Sequence, residues 1–162
     1  MKKLILVRHG KSSWAYSVSD RDRPLSERGI NDAILVSDKV AENAIEIDAI
    51  FSSPANRALH TCTIFLRQLY LPLSKLEIRN ELYDFSGNEV LNVVKNLNDN
   101  LNSVMIFGHN HAFTHIANSL GNNYIDNVPT SGLVDLNFEV ESWSEITKGT
   151  TQRLIFPKQL RG

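Results

Sequence analysis

The sequence predicts an α/β layer fold built on a mainly parallel sheet. Short, largely apolar runs at Leu4–Val7, Ile47–Phe51 and Ser103–Phe107 have the length and composition of strands covered on both faces. Longer stretches between them repeat their apolar residues at helical spacing. Strand and helix signals alternate along the chain, as a parallel sheet with helical crossovers requires.

The first strand ends abruptly in Arg8-His9-Gly10, and an irregular stretch from Ser12 to Leu25 follows it. A long loop directly after such a strand often forms the wall or lid of a site. Ser26 is a helix N-cap candidate, and Ile30, Ala33, Ile34, Ser37, Val40 and Ala41 mark one buried helical stripe. The strand Ile47–Phe51 runs into Ser52-Ser53-Pro54, with Pro54 suited to the first turn of a helix over Ala55–Leu69. Leu71-Pro72-Leu73 breaks that helix, and Leu76–Ile78 reads as a further short strand. Asn88 or Glu89 opens a helix carrying Val90, Leu91, Val94 and Leu97 on one face. The strand Ser103–Phe107 ends in Gly108-His109-Asn110 and leads to a helix over Ala112–Leu120, with Gly121 as its C-cap. Strands at Leu133–Val140 and Arg153–Phe156 complete the expectation.

The chain has 162 residues, enough for one domain over residues 1–162 with a sizeable core. A formal net charge of −1 argues against broad nucleic-acid binding, which needs a basic surface. Met1-Lys2-Lys3 before an apolar run imitates the start of a signal peptide, but Arg8 cuts the run short. No segment is long enough to span a membrane. Cys62 is the only cysteine, so no internal disulfide exists, which fits a reducing cytoplasm. The sequence sets no oligomeric state, and a monomer is compatible with it.

Three strand ends carry the chemistry: Arg8-His9-Gly10, Ser52-Ser53-Pro54-Ala55-Asn56-Arg57, and Gly108-His109-Asn110. If these strands are parallel neighbours, two arginines and two histidines meet on one edge of the sheet, beside a helix N-terminus. Arginine forks and helix N-termini both favour phosphoryl groups. The pattern reads as a phosphate pocket with a histidine nucleophile.

Together these segments resemble the histidine phosphatase superfamily, and most closely its short, SixA-type phosphohistidine phosphatase branch. Leu6-Val7-Arg8-His9-Gly10 is similar to the signature of the catalytic histidine. Asp22-Arg23-Pro24-Leu25-Ser26-Glu27-Arg28-Gly29, then Ser52 to Ala58 with Thr61, then Gly108-His109-Asn110 match the next three segments in family order. The resemblance implies a three-layer α/β/α sandwich, phosphoglycerate mutase-like, with no cofactor and no metal. It implies that His9 attacks phosphorus and that Arg8, Arg57 and His109 hold the phosphoryl oxygens. Ser12 and Asn110 join them as substrate-binding candidates, although a simple turn role explains Ser12 equally well. For the proton donor, Glu81, Asp84 and Glu89 lie in the interval where larger members carry a carboxylate, and Asp20 and Asp22 lie in the earlier loop. Glu81 is the weak first choice, against a solvated carboxylate near a strand end. The implied substrate is a phosphorylated protein, through phosphohistidine, or a small phosphate ester. A non-catalytic phosphate-binding module on the same fold is the third reading.

Other residues weigh less. His111 and His115 have the i, i+4 spacing of metal ligands but lack the accompanying glutamate motif. His111 stands where the resembled branch often has proline. Arg23 is expected as a loop salt-bridge partner, with reach to the substrate as the lesser alternative, and Cys62 as core; Trp14 and Tyr16 are expected to be buried against helices, with the pocket mouth as the alternative. Ser131 is a further polar candidate near the site. With two arginines as neighbours, the His9 pKa should fall below its usual value of about 6.5.

Overall fold

The computed structural model describes residues 1–162 and contains a six-stranded sheet. The strands are β1 (Lys2–Arg8), β2 (Ala49–Ser52), β3 (Leu76–Ile78), β4 (Ser103–Gly108), β5 (Leu133–Phe138) and β6 (Thr150–Ile155), in the spatial order β3-β2-β4-β1-β5-β6. β3, β2, β4 and β1 run parallel, β5 is antiparallel to β1, and β6 returns antiparallel to β5. One reversed strand in six satisfies the mainly parallel expectation. The helices are α1 (Glu27–Ala41), α2 (Asn56–Gln68), α3 (Asn88–Lys95), α4 (Ala112–Leu120) and a short α5 (Pro157–Leu160) that the sequence did not signal.

Alternation along β1 divides the interior into two cores. Leu4 and Leu6 face the side covered by α3 and α4, with Val90, Phe113 and Ile116. Ile5 and Val7 face the side covered by α1 and α2, with Val36, Ile64 and Phe65. The fold is therefore a three-layer α/β/α sandwich. Cys62 belongs to the second core, as expected, and burial pushes its thiol pKa up to about 12.

Local signals were borne out in part. The Ser26 side chain accepts the Gly29 N–H at 3.1 Å and caps α1. Ala33, Ser37 and Val40 are buried on its inner stripe, whereas Ala41 is exposed. Pro54 is not in the first turn of α2; Ala55 is the N-cap and the helix starts at Asn56. Gly121 follows α4 with φ −91°, so a left-handed cap is not its reason. A Cβ there would stand 2.3 Å from Thr151 Oγ1, and close packing demands the glycine. Lys2 is an integral part of β1: its buried ammonium donates to the Asp99 and Leu101 carbonyls and to Asn102 Oδ1. No helix is long and apolar enough to cross a membrane.

The turn before α3 explains one of the carboxylates singled out by sequence. Asp84 accepts from the N–H groups of Ser86, Gly87, Glu89 and Val90 at 3.0–3.1 Å. Gly87 supplies the φ of +106° that the turn needs. Asp84 is thus a cap. The Asp84→Ala variant is expected to lose about 1–3 kcal/mol of stability through orphaned helix N–H groups, measured by urea unfolding. An unchanged midpoint would remove this role.

Candidate active site

Parallel pairing fixes the three strand ends. β4 lies between β1 and β2, with Arg8 opposite Gly108 and Ser52 opposite Phe107. Past the strands the backbone stays laced together: His9 N donates to the Gly108 carbonyl at 3.0 Å and Ser53 N donates to the Phe107 carbonyl at 3.0 Å. Thr61 ties α2 to the same edge. Its hydroxyl accepts the Gly10 N–H at 2.8 Å and donates to the Arg57 carbonyl at 2.7 Å. Gly10 is needed here, since a Cβ would stand 2.8 Å from the Gly29 carbonyl oxygen.

His9 is 8% exposed, and its ring centroid lies 5.2 Å from that of the fully buried His109. His9 Nδ1 donates to the Gly10 carbonyl at 2.7 Å. In a neutral imidazole that leaves the lone pair on Nε2. The His9 pKa falls to about 3, chiefly through burial, with His109, Arg57 and Arg8 adding to the fall and the Gly10 hydrogen bond opposing it. The direction matches the sequence expectation, but the arginines are a minor cause. His109 also falls to about 3, through burial first and then the Arg57 charge.

Arg57 sits in the first turn of α2, 2% exposed. Its Nη1 donates to the Asp20 carbonyl at 2.6 Å and its Nη2 to Asp20 Oδ2 at 2.9 Å. Arg8 Nη1 donates to the Val128 carbonyl at 2.8 Å, and burial and then the Arg57 charge lower the Arg8 pKa. Seven buried side-chain polar atoms in the whole chain have no partner. Four belong to this cluster: Arg8 Nε, Arg23 Nε, Arg57 Nε and His109 Nδ1. Buried polar groups are ordinarily satisfied. Unfilled polar atoms concentrated on three guanidiniums and an imidazole make this cluster the candidate seat for an anion.

The cavity beside them, of about 340 Å³, is lined by Arg8, His9, Ser12, Asp20, Arg57 and Phe85 among others. The loop between Ser12 and Leu25 forms its outer wall, closed at its base by the Ser12–Leu25 bridge and the Ser13 N to Pro24 O bond of 2.8 Å. Asp20 is the group that sequence reasoning underweighted. Its carboxylate receives Arg57, Arg23 Nη2 at 2.7 Å and the Tyr83 hydroxyl at 2.5 Å. The Tyr83 hydrogen bond first, then Arg23 and Arg57, hold it well below the usual carboxylate range. Arg23 is the salt-bridge partner that was expected; it also donates to Ser12 Oγ and stacks its guanidinium 3.9 Å from the Trp14 ring.

Several candidates lie elsewhere than the sequence suggested. Glu81 binds Arg79 Nη2 at 2.9 Å and does not line the cavity. It sits in a short 3-10 turn, Asn80–Leu82. Asn110 also leaves the cavity: its Oδ1 accepts Thr114 N and Oγ1, and its Nδ2 donates to Asn127, so it anchors the start of α4. Trp14 and Tyr16 are exposed rather than buried, and Trp14 lines the cavity. Ser131 is buried at φ +62°, its N–H shared by the Arg8 and His9 carbonyls. His111 and His115 are exposed. Ser53 was missed as a side chain; its hydroxyl lies 2.8 Å from His109 Nε2.

Comparison with known proteins agrees with this arrangement. The profile of the histidine phosphatase superfamily (branch 1) matches residues 4–86. A 2,3-bisphosphoglycerate-dependent phosphoglycerate mutase of Staphylococcus aureus (strain MRSA252) is 41% identical over 98 residues, 57% of this chain and 42% of that enzyme. The chain thus spans less than half the length of the curated relatives it matches. The histidine phosphatase SixA complexed with tungstate has a TM-score of 0.79 and 22% identity, covering 98% of this chain and 99% of that one. SixA from Agrobacterium tumefaciens also scores 0.79, at 24% identity, over 95% and 97%. A mycobacterial glucosyl-3-phosphoglycerate phosphatase with VO3 scores 0.68 at 14% identity, over 94% and 98%. At these identities the likeness to solved structures is one of fold.

Two measurements follow from the electrostatics. With folded pKa values near 3, His9 and His109 should remain neutral in a 15N NMR titration down to about pH 4. Because unfolded histidine takes up its proton near 6.5 and the folded residues do not, stability should decline as pH falls from 6.5 towards 3. A His9 or His109 titration midpoint near 6.5 would contradict this. Separately, Asp20→Ala should tighten tungstate binding by up to about tenfold, since a carboxylate no longer competes for Arg57 and Arg23. Weaker binding in a calorimetric titration would make Asp20 a support for the arginines rather than a competitor.

Proposed function

The chain belongs to the histidine phosphatase superfamily, and from that premise we propose that it is a phosphatase acting through a phosphorylated His9, with phosphohistidine on a protein as substrate. The observation that carries this reading is the free His9 Nε2 in a cluster with the unfilled Nε donors of Arg8 and Arg57 and the unpartnered Nδ1 of His109.

The phosphoryl group enters the cavity and takes the guanidinium donors. His9 Nε2 attacks phosphorus as the bond to the leaving group breaks. Charge on the equatorial oxygens is met by Arg8, Arg57 and the His109 ring, so positioning and electrostatic stabilisation do the catalysis. Water then attacks the phosphohistidine, releases inorganic phosphate and restores His9. Arg8 and Arg57 supply the positive charge that a metal ion supplies in other phosphatases, and the reaction as proposed needs none.

The state of Asp20 favours a nitrogen leaving group. It is the one carboxylate lining the cavity, and its partners hold it ionised, so it has no proton to give. A phosphoramidate nitrogen is basic and takes its proton from water, whereas a poor alcohol leaving group needs an acid. The exposed aromatic rim of Trp14 and Phe85 is consistent with a phosphorylated side chain presented by another protein. A chain of this kind would work in the cytoplasm, as a single catalytic domain.

A second reading rests on the mutase relative: a small phosphate ester as substrate. A third is phosphate binding without turnover. Phosphate release from a phosphohistidine protein, compared with a panel of phosphate esters, separates the first two. Acid-labile label trapped on His9 during turnover removes the third. His9→Ala is expected to abolish release, and Arg57→Ala to lower kcat by about 10²–10³-fold, as loss of an oxyanion donor does. Undiminished release by His9→Ala would end the proposal.

A further inference from the structure

Ser53 and His109 form a buried pair that links two strand ends 56 residues apart. Both residues have no exposed surface. Ser53 Oγ lies 2.8 Å from His109 Nε2 and also accepts the Ala55 N–H at 3.2 Å. The Ser53 backbone is itself pinned, with its N–H on the Phe107 carbonyl. A hydroxyl has one proton to donate, and a buried donor needs an acceptor. With Ala55 already donating to the oxygen, Nε2 is the acceptor within reach. A neutral ring that accepts at Nε2 carries its proton on Nδ1. Nδ1 is buried and has no partner in the chain.

The orientation has a consequence for an anion. An N–H directed at a phosphoryl oxygen attracts it, and a lone pair in the same place repels it. We propose that Ser53 is a positioning residue whose hydroxyl locks His109 in the Nδ1–H tautomer, so that this ring donates to the transferring phosphoryl group while His9, held in the same tautomer by the Gly10 carbonyl, attacks from its free Nε2. The two histidines thus carry protons on equivalent nitrogens and play opposite roles, because their partners face them from opposite sides: a carbonyl that accepts at His9, a hydroxyl that donates at His109. The role of the donor rests on the phosphatase reading; the tautomer itself does not.

The experiment reads the two apart. In the full chain at pH 7, 15N chemical shifts of His109, assigned by comparison with His109→Asn, should report a protonated Nδ1 and an unprotonated Nε2. In Ser53→Ala the ring should move to the Nε2–H form or a mixture. kcat should fall by about 10–100-fold with KM little changed, by analogy with removal of the partner that orients a metal-bound histidine. Ser53→Thr keeps the hydroxyl and should restore both the shifts and the rate; it also serves if the alanine variant does not fold. A protonated Nε2 in the wild type overturns the proposal. So does a Ser53→Ala protein with unchanged shifts, or with altered shifts and an unchanged kcat. A wild-type protein that releases no phosphate but has the Nδ1–H ring would sink the phosphatase reading and leave the lock standing.

Discussion

A buried and a half-buried guanidinium and two buried imidazoles on one edge of a sheet are stable together only if something negative or neutralising meets them. The chain solves this in stages. Burial keeps both imidazoles uncharged, so the positive charge falls on the arginines alone. The Val128 carbonyl takes one Arg8 donor, and Asp20 takes two from Arg57. The Nε donors of both arginines are left over. That residue of unmet hydrogen-bonding capacity, beside a cavity lined by Arg8, His9 and Arg57, is what the proposed anion binding rests on.

The sheet supplies the rigidity this demands. β1, β4 and β2 pair in parallel, and hydrogen bonds past their ends carry the registration into the loops. Thr61 then couples the His9 loop to the helix that bears Arg57. The His9 loop and the Arg57 turn are therefore held to each other through one buried hydroxyl that bonds backbone groups on both sides. The loop from Ser12 to Leu25 is different in kind. It reaches the site through side chains, with Asp20, Arg23 and Trp14 on its inner surface, and it brings the one carboxylate that the arginines bind.

Much of the site was legible in the sequence, because strand-end tripeptides and helix caps are local features. Arg8-His9-Gly10 follows an apolar run, and whatever follows a buried parallel strand emerges at the sheet edge. Ser26 needed only its neighbour three residues on. The departures share a cause. Glu81 and Asn110 were chosen by their place in the chain, and their side chains were claimed by Arg79 and by the start of α4. Asp20 was named only as one of several carboxylates, because two of its partners lie 37 and 63 residues away. Trp14 was expected inside because aromatic area favours burial, yet its face is met by a guanidinium at the surface.

The sequence by itself determined the α/β class, the order of the elements and the four polar segments on which the proposed chemistry rests, since periodicity and capping act over a few residues. Tertiary structure alone decided the strand order, the reversal of β5, the capture of Asp20 by the arginines and the pairing of Ser53 with His109. Those depend on which strand lies beside which, and on burial that raises the energy of an unpaired charge or donor. Such effects exist only once distant segments share one dry interior.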